Sequence, residues 1–243
     1  IGKVRVEVLI MNIHAFYFPV EPKEEELLKG EIFRHLKVLR VKQKEKVILF
    51  DGKGLQTVGI ITEIDKKKAV FKTLEKKRIP PRPFAVTIGV ALPKGKRQAF
   101  LVEKLAELCV ERFIPLITSR TIVRPRSTVI ERLQKISIEG ASQSRNPYVM
   151  KIEQPMAVDE AVQLSDFDMK LIAIPEGKCF KDLIHDKKPT KVFCIVGPEG
   201  GFTENEIRLA VEQGFEPVTL GRELLRIETA AIALAAIINH ELG

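Results

Sequence analysis

The chain has 243 residues, 45% of them hydrophobic, with 40 Lys and Arg against 32 Asp and Glu and a formal net charge of +8. That length allows one large domain or two small ones, burying roughly 70–75% of the unfolded surface. No uninterrupted apolar run approaches the ~18 residues of a membrane-spanning helix. The three cysteines, Cys109, Cys179 and Cys194, are scattered without paired spacing, which argues against a disulfide framework and for a reducing, cytoplasmic setting.

The first residues, IGKVRVEVLIMNIHAFYF, place basic residues before an apolar run. Glu7, Asn12 and His14 interrupt it and no small-residue cleavage site follows, so it does not read as a signal peptide. Charge is unevenly placed. Residues 1–80 hold 18 Lys/Arg against 11 Asp/Glu, residues 81–145 hold 12 against 5, and residues 146–243 hold 10 against 16. A polyanion such as RNA would bind the first three-fifths of the chain, with strong salt dependence. A solvated Lys/Glu-rich surface of the heat-stable kind accounts for the same numbers.

Residues 1–80 read as a β-rich unit. Strands are expected at Ile13–Phe18, Lys46–Phe50, Leu55–Ile64 and Ala69–Leu74, with a short helix in the second half of 24–40. Asp51-Gly52-Lys53-Gly54 is a hairpin signal, and Lys66-Lys67-Lys68 makes a basic turn. Short strands at this spacing suggest a small barrel. Arg34, His35 and Arg40 are candidate RNA contacts, or ordinary basic residues of a surface helix.

Pro80-Pro81-Arg82-Pro83 is the expected domain boundary, dividing the chain into 1–80 and 81–243. Beyond it a β-rich run, Phe84–Ala91, is followed by a helix with Leu101, Leu105 and Leu108 on one face, then a strand at Phe113–Ile117. This is the strand–helix–strand rhythm of a parallel sheet. Arg120, Arg124 and Arg126 form a basic stripe before a helix that runs from Ser127 to about Gln143. Gln143, Ser144 and Arg145 could read a uracil edge or grip phosphate, or simply end a solvated helix. A third strand, Leu171–Ile174, ends in Pro175-Glu176-Gly177.

The most informative stretch is 191–235. An apolar strand, Val192–Val196, meets Gly197-Pro198-Glu199-Gly200-Gly201. Thr203 with Glu206 forms a capping box, with Phe202 and Ile207 at the staple positions. A glycine turn held between a buried strand and a capped helix suits a ligand bound by backbone amides. A second strand, Phe215–Leu220, ends at Gly221 and leads into a final helix, 230–238, apolar on nearly every face. The four histidines, His14, His35, His185 and His240, lack metal-ligand spacing, and no metal is expected. Dinucleotide, phosphate-loop and serine-hydrolase motifs are absent.

GPEGGFTENE followed by LGRELLRIETAAIAL resembles the carboxyl-terminal signature of the RsmE family, SPOUT-superfamily methyltransferases of small-subunit ribosomal RNA. HLKVLRVKQKEKVILFDGKG resembles that family's amino-terminal PUA-like domain, with Lys44-Glu45 where Gly-Asp is usual. KLAEL, PLITSR and ERLQKISIEGASQSR are similar to further family segments, with Cys109 for Gly, Leu133 for Trp and Gly140 for Ala. Arg222, Glu223 and Ile227 depart from the usual Pro, Arg and Thr.

The resemblance implies a knotted α/β SPOUT-like domain behind a PUA-like RNA-binding β-barrel, working as a homodimer in the cytoplasm. It implies methylation of uridine N3 in small-subunit ribosomal RNA, free or in the small subunit, with S-adenosylmethionine as cofactor. The cofactor would be held by Ile174, Pro175, Glu176, Gly197, Pro198, Glu199, Gly200, Gly201, Leu220, Gly221, Leu224, Leu225, Arg226 and Thr229. Leu220 and Leu225 flank adenine on this reading, or pack in the core. Arg226 or Arg145 would stabilise a deprotonated uracil, and Glu199 or Glu228 would accept its proton or favour a helix start. The competing readings are a non-catalytic RNA-binding protein with a vestigial pocket and a metabolic enzyme binding an adenine nucleotide.

Overall fold

The computed structural model describes residues 13–184 and 188–243. The expectations for residues 1–12 and for His185 lie outside the described residues. The chain divides into two compact units. One contains the residues up to Pro81 together with Ala141–Val149; the other contains Arg82–Gly140 and Met150–Gly243.

The first unit holds a five-stranded sheet in the order β1-β3-β4-β5-β2. Its strands are β1 (His14–Tyr17), β2 (Glu25–Leu28), β3 (Lys46–Phe50), β4 (Leu55–Ile64) and β5 (Ala69–Arg78). β1 lies parallel to β3, and the other pairings are antiparallel. The strands of the expected barrel form an ordered path with β1 and β2 at its ends. β2 is an addition to the reading from sequence. Its residues, Glu-Glu-Leu-Leu, have helical propensity, yet Glu25 to Leu28 pair with Lys72 to Ala69. Helix α1 (Gly30–Val38) buries Phe33 and Leu36 in a core with Phe16, Leu28, Leu49 and Phe71.

Ala141–Val149 is bound into this unit although it lies far along the chain. Gly54 N–H donates to the Pro147 carbonyl at 3.1 Å, Val149 N–H to Gly52 at 3.1 Å, and the Tyr148 hydroxyl to Ile79 at 2.8 Å.

The second unit is built on a parallel sheet in the order β12-β10-β11-β6-β7-β8, with β9 pairing with β7. The main strands are β6 (Ala85–Ala91), β7 (Arg112–Ile117), β10 (Met169–Cys179), β11 (Lys191–Val196) and β12 (Phe215–Thr219). The pairs β8 (Lys151–Ile152) and β9 (Met156–Ala157) are only two residues each. Period-2 alternation divides the strands between two cores. Val192, Cys194 and Val196 face the core that takes in helix α2 (Arg97–Glu107) and α7 (Ile227–Leu242). Phe193 and Ile195 face the core that takes in α4 (Val158–Val162) and α6 (Glu204–Glu212). Helices on both faces explain why the strands read as continuous apolar runs. Helices α3 (Ser127–Ser144) and α5 (Phe180–Ile184) complete the described elements.

One expectation is corrected here. The third strand does not end at Ile174 but continues to Cys179. Ala173 and Lys178 both pair with Val218, so Ile174-Pro175-Glu176-Gly177 bulges out between them. The last helix, expected either at a homodimer interface or in the core, is buried along one face only. Ile227, Ala231, Leu234, Ala235 and Ile238 are buried, while Ile232 and Ile237 are only partly covered.

Candidate active site at the carboxyl edge of the parallel sheet

Registers place the candidate loops on one edge. Ala173 pairs with Val196 on β11 and with Val218 on β12. The 174–177 bulge, the 197–201 glycine turn and the 219–225 loop therefore leave three adjacent parallel strands at one level. Val196 pairs with Val90, and Val90 with Pro115, so the loops after β6 and β7 leave the same edge. The chain departing β6 goes to β7 on one side, while the chain departing β11 goes to β12 on the other. This divergence between neighbouring strands is the place where open α/β sheets bind ligands.

The glycine turn is held from several directions. Gly201 has φ +70°, in the left-handed region that glycine adopts without strain, and its N–H donates to the Pro198 carbonyl at 2.8 Å. Thr203 caps α6 with a complete capping box. Buried Glu206 accepts the Thr203 N–H at 2.7 Å and, across the edge, the Ser119 N–H at 2.7 Å. Burial pushes the Glu206 pKa up, but hydrogen bonds from Ser119 and Thr203 outweigh it and leave the carboxyl below its ordinary value. Arg120 donates from its guanidinium to the Gly200 carbonyl at 2.5 Å. Arg97, at the start of α2, reaches Glu199 at 3.4 Å and Glu228 at 3.5 Å.

The second wall is equally dependent on glycine. A Cβ on Gly177 would lie 2.6 Å from the Thr219 nitrogen, so only glycine lets the bulge close against β12. The 219–225 loop is more open. Gly221 has φ +131°, and the Thr219 hydroxyl donates to its carbonyl at 3.0 Å. Leu220 packs partly into the core, Leu225 is half-buried, and Leu224 is 86% exposed. Arg226 is exposed at the N-cap of α7, makes no capping bond through its side chain, and is followed by buried Glu228 and exposed Thr229.

All the candidate cofactor residues thus belong to one edge of one sheet, with Arg226, Glu199 and Glu228 beside them. The candidate RNA residues are divided between the two units. Arg34, His35 and Arg40 are exposed on and just after α1 in the first unit. Gln143, Ser144 and Arg145 also belong to the first unit, where Arg145 Nε donates to the Ile13 carbonyl at 3.0 Å. Arg124 and Arg126 are exposed in the loop after β7. Arg120, also a candidate RNA contact, is exposed and donates to the glycine turn.

Two residues escaped the reading from sequence. Arg97 closes the LysGlyLysArg run after β6, and a basic cluster at the carboxyl end of a buried strand was the available signal. Glu206 was assigned only its cap; nothing local announces the Ser119 bond. Among the described residues no cluster of His, Cys, Asp and Glu could hold a metal ion, and no helix is long and apolar enough to cross a membrane. Burial raises the Cys194 thiol pKa strongly, which makes it an inert core residue.

The families this sequence matches place its fold and site among RNA-modifying methyltransferases. Residues 80–239 match the RNA methyltransferase domain family, and residues 28–74 match the RNA methyltransferase PUA domain family. A ribosomal RNA small subunit methyltransferase E from Synechocystis is 30% identical, over 84% of this chain and 68% of that protein. The crystal structure of a ribosomal RNA small subunit methyltransferase E from Neisseria gonorrhoeae bound to S-adenosyl methionine is 32% identical, with a TM-score of 0.86. It spans 95% of this chain and 98% of its own. A Legionella pneumophila protein solved with the cofactor SAM has the same TM-score, 0.86, at 30% identity, over 95% of this chain and 98% of its own. The chain belongs to the ribosomal RNA small subunit methyltransferase E family of the SPOUT superfamily. Its α/β methyltransferase domain follows a small PUA-like domain.

Proposed function

We propose that this protein methylates N3 of a uridine in small-subunit ribosomal RNA, using S-adenosylmethionine. The observation that carries the reading is the meeting of three glycine- and proline-bearing loops at one edge of adjacent parallel strands. The backbone of 197–201 and 220–225, together with the 174–177 bulge, would hold the cofactor, with Leu220 and Leu225 against its adenine. The positive-φ glycines and the close approach at Gly177 fit a site that grips through main chain rather than charge. When bound, the cofactor supplies a methyl group activated on a sulfonium centre.

The protein's own task is orientation and proton removal. Uracil N3 carries a proton that must leave as the new bond forms. Glu199, exposed at the rim, accepts it in this proposal, because Glu228 is buried against Arg97. Arg226, at the mouth of α7, stabilises the developing uracil anion. Arg145 is the alternative the sequence offers for that role.

Arg34, His35, Arg40, Arg120, Arg124, Arg126, Gln143, Ser144 and Arg145 supply the RNA contacts in this reading. A carboxyl-terminal trefoil knot, the domain division at residue 80, the cytoplasmic setting and a homodimer belong to the same proposal. The partly covered Ile232 and Ile237 on α7 support the homodimer.

The test is transfer from labelled S-adenosylmethionine to small-subunit particles lacking modification, with the product nucleoside identified by mass spectrometry. N3-methyluridine at one site is the expected result. Cofactor binding with methyl transfer to a different atom or base would refute the assignment of N3. Absence of both binding and transfer would favour the non-catalytic RNA-binding reading.

A further inference from the structure

Arg97 is bracketed by two carboxylates from different parts of the edge. Glu199 belongs to the glycine turn after β11, and Glu228 to the first turn of α7. Arg97 comes from a third place, the helix start after β6. The two pairs differ in weight. Arg97 and Glu199 are 36% and 45% exposed as side chains, and an exposed pair of this kind contributes little to folding. The Glu228 side chain is only 8% exposed, and its Oε2 has no hydrogen-bond partner among the described residues. A buried carboxylate in that state depends heavily on the guanidinium beside it. Arg97 is therefore anchored by Glu228, and its other nitrogen is left to hold the glycine turn through Glu199. Arg120 grips the neighbouring residue, Gly200, from the β7 side.

The geometry points to Arg97 as a positioning residue that fixes the glycine turn and the start of α7 as one rigid wall of the cofactor site. The inference rests on the cofactor reading above, and goes beyond it in assigning a role to a residue outside the binding loops. A guanidinium suits the task because its planar fork presents separate nitrogens to two carboxylates at once; a lysine ammonium is a single point charge.

The test uses the full-length protein with Arg97→Gln, Arg97→Lys, Glu199→Gln and the Arg97→Gln/Glu199→Gln double variant. Hydrogen exchange of the amides from Gly200 to Thr203 is measured without cofactor, and S-adenosylmethionine affinity by calorimetry. Arg97→Gln is expected to speed exchange in the turn about tenfold and to weaken cofactor binding about tenfold, with KM for the cofactor rising and kcat little changed. Arg97→Lys falls between the unaltered protein and Arg97→Gln. In turn exchange and cofactor affinity the double variant matches Arg97→Gln, because both changes break one connection, while its turnover falls with the loss of the Glu199 carboxylate. Unchanged exchange in Arg97→Gln, or single effects that multiply in the double variant, overturns the role. If Arg97→Gln does not fold, Glu199→Gln still decides, since it leaves the buried pair intact and must loosen the turn. If the unaltered protein binds no S-adenosylmethionine, the cofactor reading fails, while the exchange data still judge the clamp.

Discussion

Glu206 makes the most demanding test of how this edge is assembled. Its carboxylate accepts the Ser119 N–H at 2.7 Å, the Thr203 N–H at 2.7 Å and the Thr203 hydroxyl at 3.0 Å. Glu206→Ala removes the acceptor from two main-chain donors. An orphaned donor costs about 1–3 kcal/mol, and water can reach exposed Ser119, so the lower half of that range applies to it. The expected loss is about 2–5 kcal/mol in all. Thr203→Ala removes only the cap and should cost about 1 kcal/mol. Urea unfolding measures both, and an unchanged m value confirms that stability alone has moved.

The same group sets a pH dependence. Its folded pKa lies below the ordinary carboxylate value, because Ser119 and Thr203 donate to the ionised form strongly enough to overcome burial. Its contribution is therefore complete above the unfolded carboxylate range and is lost as pH falls through the depressed folded value. Glu206→Gln should flatten the acid side of the stability curve. A loss below about 1 kcal/mol for Glu206→Ala, with the acid limb of Glu206→Gln unchanged, would refute the claim that this carboxylate joins the two loops.

Three further outcomes are expected. Gly177→Ala must push the bulge away from β12, since its Cβ would meet the Thr219 nitrogen at 2.6 Å; overpacking of this kind costs about 1–3 kcal/mol, visible in the melting temperature, and cofactor affinity falls with it. Leu224→Ala changes a side chain that is 86% exposed, so stability should stay within about 0.5 kcal/mol while cofactor affinity drops; an unchanged affinity removes Leu224 from the site. Alanine at Arg34 and Arg40 together should weaken RNA binding and reduce the slope of log K against log salt by about 1 for each phosphate that is no longer neutralised, read from titrations at several salt concentrations.

Much of this protein was legible in local pattern. The β-branched apolar run Val192–Val196 before Gly197 and the Thr203–Glu206 spacing each specify an element through neighbours in the chain. Lys46–Phe50 and Leu55–Ile64 are strands with the expected limits for the same reason. The glycine-turn loops could be singled out because glycine and proline restrict or free the backbone wherever they stand.

What the tertiary structure decided depends on partners far away in sequence. Glu25–Leu28 is a strand only because Lys72–Ala69 offers it an edge. The 174–177 segment is a bulge rather than a strand end because Ala173 and Lys178 share one partner on β12. Ala141–Val149 joins the first unit through bonds to Gly52, Gly54 and Ile79 that no local pattern announces. Arg97, Arg120 and Glu206 enter the site by the same route. A side chain's propensity is carried in the chain around it, but its bonding partner is chosen by strand order and register, and those are settled only when the sheet forms.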